Sequence, residues 1–206
     1  MITIELTFPQ STLIARDQGK RRTCLAFALC EVEHGYSPNG LLSPDYLYHS
    51  AAARSPKWFP NRGLELLPGL QGAHQIALEA DCPYKLTDPA IPLPPLPSGI
   101  PLFGSPAYQF PVDTTEIIRR LRAGMVVGLG LMLTQAFYAP VGGRIRDGTS
   151  VVPQSGHAVA AVGLGWEQGK AFFLIRNSWG QGWGQNGSAW LSANYLQQHA
   201  HCAFGA

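Results

Sequence analysis

A cysteine, a histidine, an asparagine and a glutamine stand in this chain as a thiol acyl-transfer site would need them. Gln18 and Cys24 lie six positions apart in RDQGKRRTCLAF, His157 follows Cys24 by 133 positions in SGHAVAAVG, and Asn177 comes another 20 later in IRNSWGQGWG. A thiol is the one uncharged side chain that becomes a potent nucleophile by losing a proton near neutral pH. Imidazole titrates in the same range, so it can take that proton and later hand it to a leaving amine. An Asn amide can hold the ring in one tautomer, and a Gln side-chain N–H can stabilise a tetrahedral oxyanion.

Such residues need elements to position them, and the pattern along the chain supplies two kinds. From Thr23, an expected N-cap, to His34 nearly every residue is apolar, and Gly35 is placed to stop the turn. A helix apolar all round is a buried helix. It puts Cys24 in a first turn, where backbone N–H groups and the helix dipole favour a thiolate. A second helix is expected over Asp45–Ala53, after Ser43-Pro44, and a third over Gln71–Ala80. Seven prolines from Pro89 to Pro106 exclude a helix or central strand there. That stretch reads as a stiff surface connection, with Ile91, Leu93, Leu96, Ile100 and Leu102 packing it down.

Beyond it the period changes. Strands are expected at Tyr108–Val112, Met125–Leu133, Ala158–Leu164, Ala171–Asn177 and Ser188–Leu191, with a short helix at Thr115–Ala123. His157 and Asn177 then fall on neighbouring strands that face Cys24 across a groove, a usual place for a ligand site. Gly180, Gly182, Gly184 and Gly187 fit tight turns beside the tryptophans.

Composition narrows the class. With 206 residues, 46% hydrophobic and 14% charged, the chain can bury a sizeable core as one domain or two packed lobes. A net charge of +2 gives no argument for a nucleic-acid partner. The longest apolar run, Ala123 to Leu133, is too short to span a bilayer, and the N-terminus shows no secretory signal. Cys24, Cys30, Cys82 and Cys202 include no C-x-x-C pair, so no zinc site is expected. This usage points to a reducing place, cytoplasmic or reached without a classical signal peptide, with a Cys82–Cys202 bridge left open.

Five segments in order, QGKRRTCLAFA, LSPDYLY, CPY, GHAVAAVG and RNSWGQGWGQNGSAWL, resemble those of the papain-like cysteine peptidases. The Cys-to-His and His-to-Asn spacings are close to that family's. The resemblance implies an α+β fold of one catalytic domain. A helical lobe would cover about 12–88, a Pro-rich crossover 89–106 and a β-barrel-like lobe 107–206, with the active site in the groove between lobes. It implies hydrolysis of peptide bonds through an acyl-enzyme on Cys24, with Gln18 and the Cys24 N–H holding the oxyanion, His157 as acid and base, and Asn177 fixing the ring. Gly69 would pair with an extended substrate backbone, Leu129 and Ala158 would line the main specificity pocket, and Trp179 would wall the leaving-group side.

No cofactor and no metal are implied. The partners would be a peptide or protein substrate and a regulatory or inhibitor protein, with no nucleic acid and no membrane. Alternatives are an acyl transferase or deamidase acting on a specific protein, and a non-catalytic binding module.

The sequence also departs from the family pattern. Leu25 stands for an aromatic, Arg22 for a glycine, Gly156 for an acidic residue or Asn, and Arg21 for a disulfide-bonded cysteine of secreted relatives. Lys20, Arg21 and Arg22 are expected to border the cleft, to favour acidic substrate residues and to help depress the Cys24 pKa. Only fifteen residues precede RDQG, so no inhibitory pro-segment is expected and restraint would come from elsewhere.

Overall fold

A computed structural model describes residues 1–37, 40–148 and 150–206. A short strand, β1 (Thr3–Thr7), leads to the helices α1 (Cys24–Glu33), α2 (Pro44–Ala53) and α3 (Leu66–Gly72). There follow β2 (Tyr108–Phe110), α4 (Thr114–Arg122), β3 (Val127–Thr134) and the single turn α5 (Gln135–Tyr138). The long strand β4 (Val151–Glu167), then β5 (Lys170–Arg176), β6 (Ser188–Ser192), α6 (Ala193–His199) and β7 (Ala200–Gly205) complete the chain.

α1 is buried nearly all round, as its composition requires. Its ends differ from expectation. Thr23 stands at the N-cap position but its hydroxyl makes no capping bond; it meets the Tyr84 hydroxyl at 2.8 Å instead. Gly35 does not stop the helix in a left-handed turn, because the chain tightens into a 3-10 turn over His34–Tyr36. α2 starts with Ser43 accepting the Tyr46 N–H at 3.0 Å and Pro44 in the first turn.

The third helix lies earlier than Gln71–Ala80. It ends at Gly72, and Ile76 and Leu78 form extended bridges with Phe103 and Leu42. Two apolar residues spaced by two are satisfied there by backbone pairing, which overrides the weak helical pattern. In the Pro-rich stretch Leu93, Leu96 and Ile100 are half-buried, whereas Ile91 and Leu102 are exposed, so the packing is partial.

The strands form one antiparallel sheet in the order β2-β7-β3-β4-β5-β6, with β1 added on β4. Among the described residues its path is open and does not close into a barrel. Alternation along β4 divides the core. Val159 and Ala161 face a cluster with Leu129, Leu131, Phe173, Ile175 and Leu191. Ala158, Ala160 and Val162 face the opposite way, onto α1 through Leu25, Ala28 and Leu29. These small residues let the helix lie close against the sheet, which sets the distance from Cys24 to His157.

Candidate active site

Cys24 is the first residue of α1 and is half-buried. Burial opposes its ionisation, but the charge and hydrogen bond of His157 and the backbone N–H groups of Ala158 and Leu25 outweigh it, so the thiol pKa lies below its ordinary value. The other thiols go the opposite way. Burial raises Cys30 far beyond the ordinary range and raises Cys82 and Cys202 as well. All four are free, so no Cys82–Cys202 bridge exists.

His157 emerges where β4 becomes buried, opposite Leu131 of β3. Asn177 follows β5 directly and is pinned by its N–H to the Gly187 carbonyl at 2.9 Å. Its Oδ1 lies 2.7 Å from His157 Nε2 and also accepts the Ser178 N–H at 2.8 Å. An oxygen already accepting one N–H assigns the proton to Nε2, leaving Nδ1 for the thiol. The Trp179 ring lies over the imidazole, centroids 4.7 Å apart, and Phe137 meets it edge-on at 5.9 Å. These rings shield the His157–Asn177 bond from water and so strengthen it.

Gln18 is buried beside the cleft, and the two sides of the molecule meet at it. Its N–H donates to the Ser178 carbonyl at 2.8 Å, and the Gly180 N–H donates to the Arg16 carbonyl at 3.1 Å. Gly180 has φ +72°, and Asp17 stands where a side chain there would point, so glycine is needed for this close approach. The Gln18 side chain accepts the Ser178 hydroxyl at Oε1 and donates from Nε2 to the Arg21 carbonyl, both at 2.6 Å.

Gln18, Cys24, His157, Ala158, Trp179 and Arg22 line one cleft of about 620 Å³. Two expected residues are not in it. Gly69 is buried inside α3 against Leu25 and Leu29, with its N–H bonded to the Glu65 carbonyl, so that N–H is not free to pair with a substrate. The cleft edge there is Gly63–Leu64, in the extended chain before α3. Leu129 points into the opposite core; its neighbour Gly130, facing Ala158, lines the cleft with Leu133, Cys202 and Phe204. The alternation in VGLGLMLT carried that signal, since leucines on one face leave glycines on the other.

Of the three cations before Cys24, Arg22 is exposed at the cleft and Lys20 is exposed away from it. Arg21 is turned inward and neutralised by Asp45 and Asp88, so it adds no free charge to the thiol's surroundings. Tyr138, stacked on Trp179 at 5.5 Å, extends the aromatic wall and had no mark in the sequence. Among the described residues no group of three or more His, Cys, Asp or Glu is placed to hold a metal, and no helix is long and apolar enough to cross a membrane.

Residues 106–204 match the family model described as papain family cysteine protease. The structure superposes on xylellain, a cysteine protease from Xylella fastidiosa, with a TM-score of 0.75 over 98% of this chain and 84% of that one, at 23% identity. The fold is papain-like. By sequence the chain is similar to cysteine proteinase RD21A of Arabidopsis thaliana, 29% identical over 92 residues, which are 45% of this chain and 20% of that protein. It is also similar to cathepsin B-like cysteine proteinase 3 of Ostertagia ostertagi, 34% identical over 85 residues, 41% and 48% of the two chains. The chain thus spans less than half the length of either relative.

Proposed function

We propose that this protein is a cysteine peptidase that hydrolyses peptide bonds through an acyl-enzyme on Cys24. The observation that carries the reading is the contrast among its thiols. Cys24 alone has a lowered pKa, and it alone is joined to a histidine whose far nitrogen is held by an asparagine, in a cleft that also presents a glutamine amide.

The Cys24 thiolate attacks the substrate carbonyl carbon, and the carbonyl electron pair moves onto oxygen. The Cys24 N–H and the free Nε2 hydrogen of Gln18 face that oxyanion. The C–N bond breaks as His157 gives its Nδ1 proton to the departing amine. Water then attacks the thioester while His157 takes its proton, and the C–S bond breaks to return the thiolate. Gly130, Ala158 and Phe204 make an apolar floor, which fits an apolar substrate side chain. Four free thiols support operation in a reducing compartment.

The test is a mass-spectrometric screen of a peptide library with wild type and Cys24→Ala, in the presence and absence of an added amine. Cleavage by wild type alone supports the peptidase. Amide transfer to the added amine without hydrolysis would assign a transferase, and release of ammonia from Gln or Asn side chains a deamidase. Equal product from Cys24→Ala would remove the thiol mechanism.

A further inference from the structure

Between the oxyanion residue and the nucleophile the chain buries a cation for which the acyl-transfer steps have no direct use. Arg21 is 3% exposed. Its Nη1 donates to Asp45 Oδ1 at 2.5 Å and to the Lys85 carbonyl, and its Nε donates to Asp88 Oδ1 at 2.8 Å. The rings of Tyr48 and Tyr84 flank the guanidinium, each 4.9 Å from its carbon. Burying such a cluster costs desolvation of three charges, and apolar replacements of buried ion pairs are often neutral or stabilising. Bulk stability is therefore a weak reason for it, whereas a rigid planar fork held at three points fixes a position well.

What it fixes is one bond away. The Arg21 carbonyl accepts Gln18 Nε2 at 2.6 Å. Tyr84, one of the flanking rings, donates its hydroxyl to the Gln18 carbonyl at 2.8 Å and meets Thr23, the residue before Cys24. An amide NH₂ has two hydrogens. With Oε1 taken by the Ser178 hydroxyl and one hydrogen by the Arg21 carbonyl, the amide cannot flip, and its second hydrogen is left for the cleft.

We propose that Arg21 is a positioning residue of the oxyanion site: clamped by Asp45 and Asp88, it sets the carbonyl that aims the Gln18 amide at the substrate. The proposal rests on the peptidase reading above. Lysine at this position keeps the charge but loses the fork, so Arg21→Lys loosens the clamp without leaving two carboxylates uncompensated.

The experiment is a double-mutant cycle with Arg21→Lys, Gln18→Ala and the pair together, reading kcat and KM on a chromogenic peptide anilide. A neutral set, Arg21→Met with Asp45→Asn and Asp88→Asn, takes the place of Arg21→Lys if that variant does not fold. In parallel, Cys24 is alkylated with iodoacetamide, a displacement at carbon that forms no oxyanion. Gln18→Ala is expected to lower kcat about 10²-fold or more, as loss of an oxyanion donor does. Arg21→Lys should lower kcat about tenfold with KM and the alkylation rate unchanged, and should add nothing in the Gln18→Ala background.

An Arg21→Lys loss that persists in full without Gln18, or an equal fall in alkylation, would make Arg21 merely structural and overturn the proposal. So would wild-type kcat in Arg21→Lys, or in Gln18→Ala. If wild type labels normally but cleaves nothing, the peptidase reading fails by itself. Affinity for a peptide aldehyde, whose adduct with Cys24 carries the same oxyanion, then replaces kcat in the same cycle.

Discussion

On the helical side of the cleft the chemistry is held by side chains; on the sheet side it is held by backbone. Cys24 and Gln18 depend on Arg21 between two carboxylates, on the Tyr84 hydroxyl, and on the small residues that seat α1. His157 and Asn177 depend on ladder register, with Leu131 opposite His157 and Ala160 opposite Arg176, and on an apolar core beneath. Ladders constrain which side chains face inward and little else, so a sheet tolerates many apolar sequences. Charge clusters work only with particular partners. The family match falls on residues 106–204, the side built on ladders, while the helical side reaches the same fold with its own side chains.

The largest expected effect comes from breaking the Cys24–His157 pair, through which the two sides share a proton. Cys24→Ser should lose at least about a thousandfold in kcat/KM, because a hydroxyl has no comparable thiolate-like ground state. In wild type kcat/KM should be bell-shaped with pH. The lowered thiol pKa moves the acid limb below the ordinary thiol range, and both limbs belong to the Cys24–His157 pair rather than to either residue. A single limb, or substantial activity in Cys24→Ser, would mean that helix and sheet do not share the proton.

A smaller effect separates the sides by stability. Glu33, at the far end of α1, is fully buried, and burial raises its pKa from 4.5 to about 7 despite the Ser105 N–H and hydroxyl on Oε2 at 2.8 and 3.1 Å. Its Oε1 has no hydrogen-bond partner among the described residues. The folded state therefore holds this proton to higher pH than the unfolded chain, so stability is fully present below about pH 4.5 and is lost as pH rises to about 7. At 1.36 kcal/mol per unit the contribution is at most about 3 kcal/mol. Glu33→Gln should match wild type in acid, exceed it above pH 7, and flatten this part of the stability profile in denaturant melts at several pH values. Equal stability at pH 8 would show that water or local opening already solvates the carboxylate.

The same contrast explains what could be read in the sequence. Cys24 opening a buried helix, the strands of His157 and Asn177, and the turn glycines each follow from local type and period. Gly69 and Leu129 were misplaced because both depend on which face of an element turns to the cleft, and for Gly69 also on where α3 starts. Gly130 was legible in principle through the leucine–glycine alternation; Cys202 and Phe204 were not, since the six residues of β7, AHCAFG, carry no clear strand alternation. Arg21 looked like a surface charge beside Lys20 and Arg22. Only its partners Asp45 and Asp88, which lie 24 and 67 positions away, make it a core residue.

Arg22 gives the smallest effect, and it tests whether the helical side also uses charge on the substrate. Its side chain is exposed at the cleft rim, near Gly63, where its backbone oxygen and Cβ lie within 4 Å of the space above that glycine. Among the described residues it has no ion-pair partner, so an acidic substrate side chain meets an unopposed cation. An exposed pair contributes roughly 0–1 kcal/mol, which is a preference of about fivefold at most. Matched acidic and neutral peptides should differ by that factor in kcat/KM at low salt, and the difference should shrink at high salt as screening shortens the range. Arg22→Gly should remove it at both salts while leaving turnover of the neutral peptide near wild type. A ratio untouched by salt and by mutation would leave Arg22 as solvated surface and confine charge on the helical side to its interior, where Arg21 meets Asp45 and Asp88.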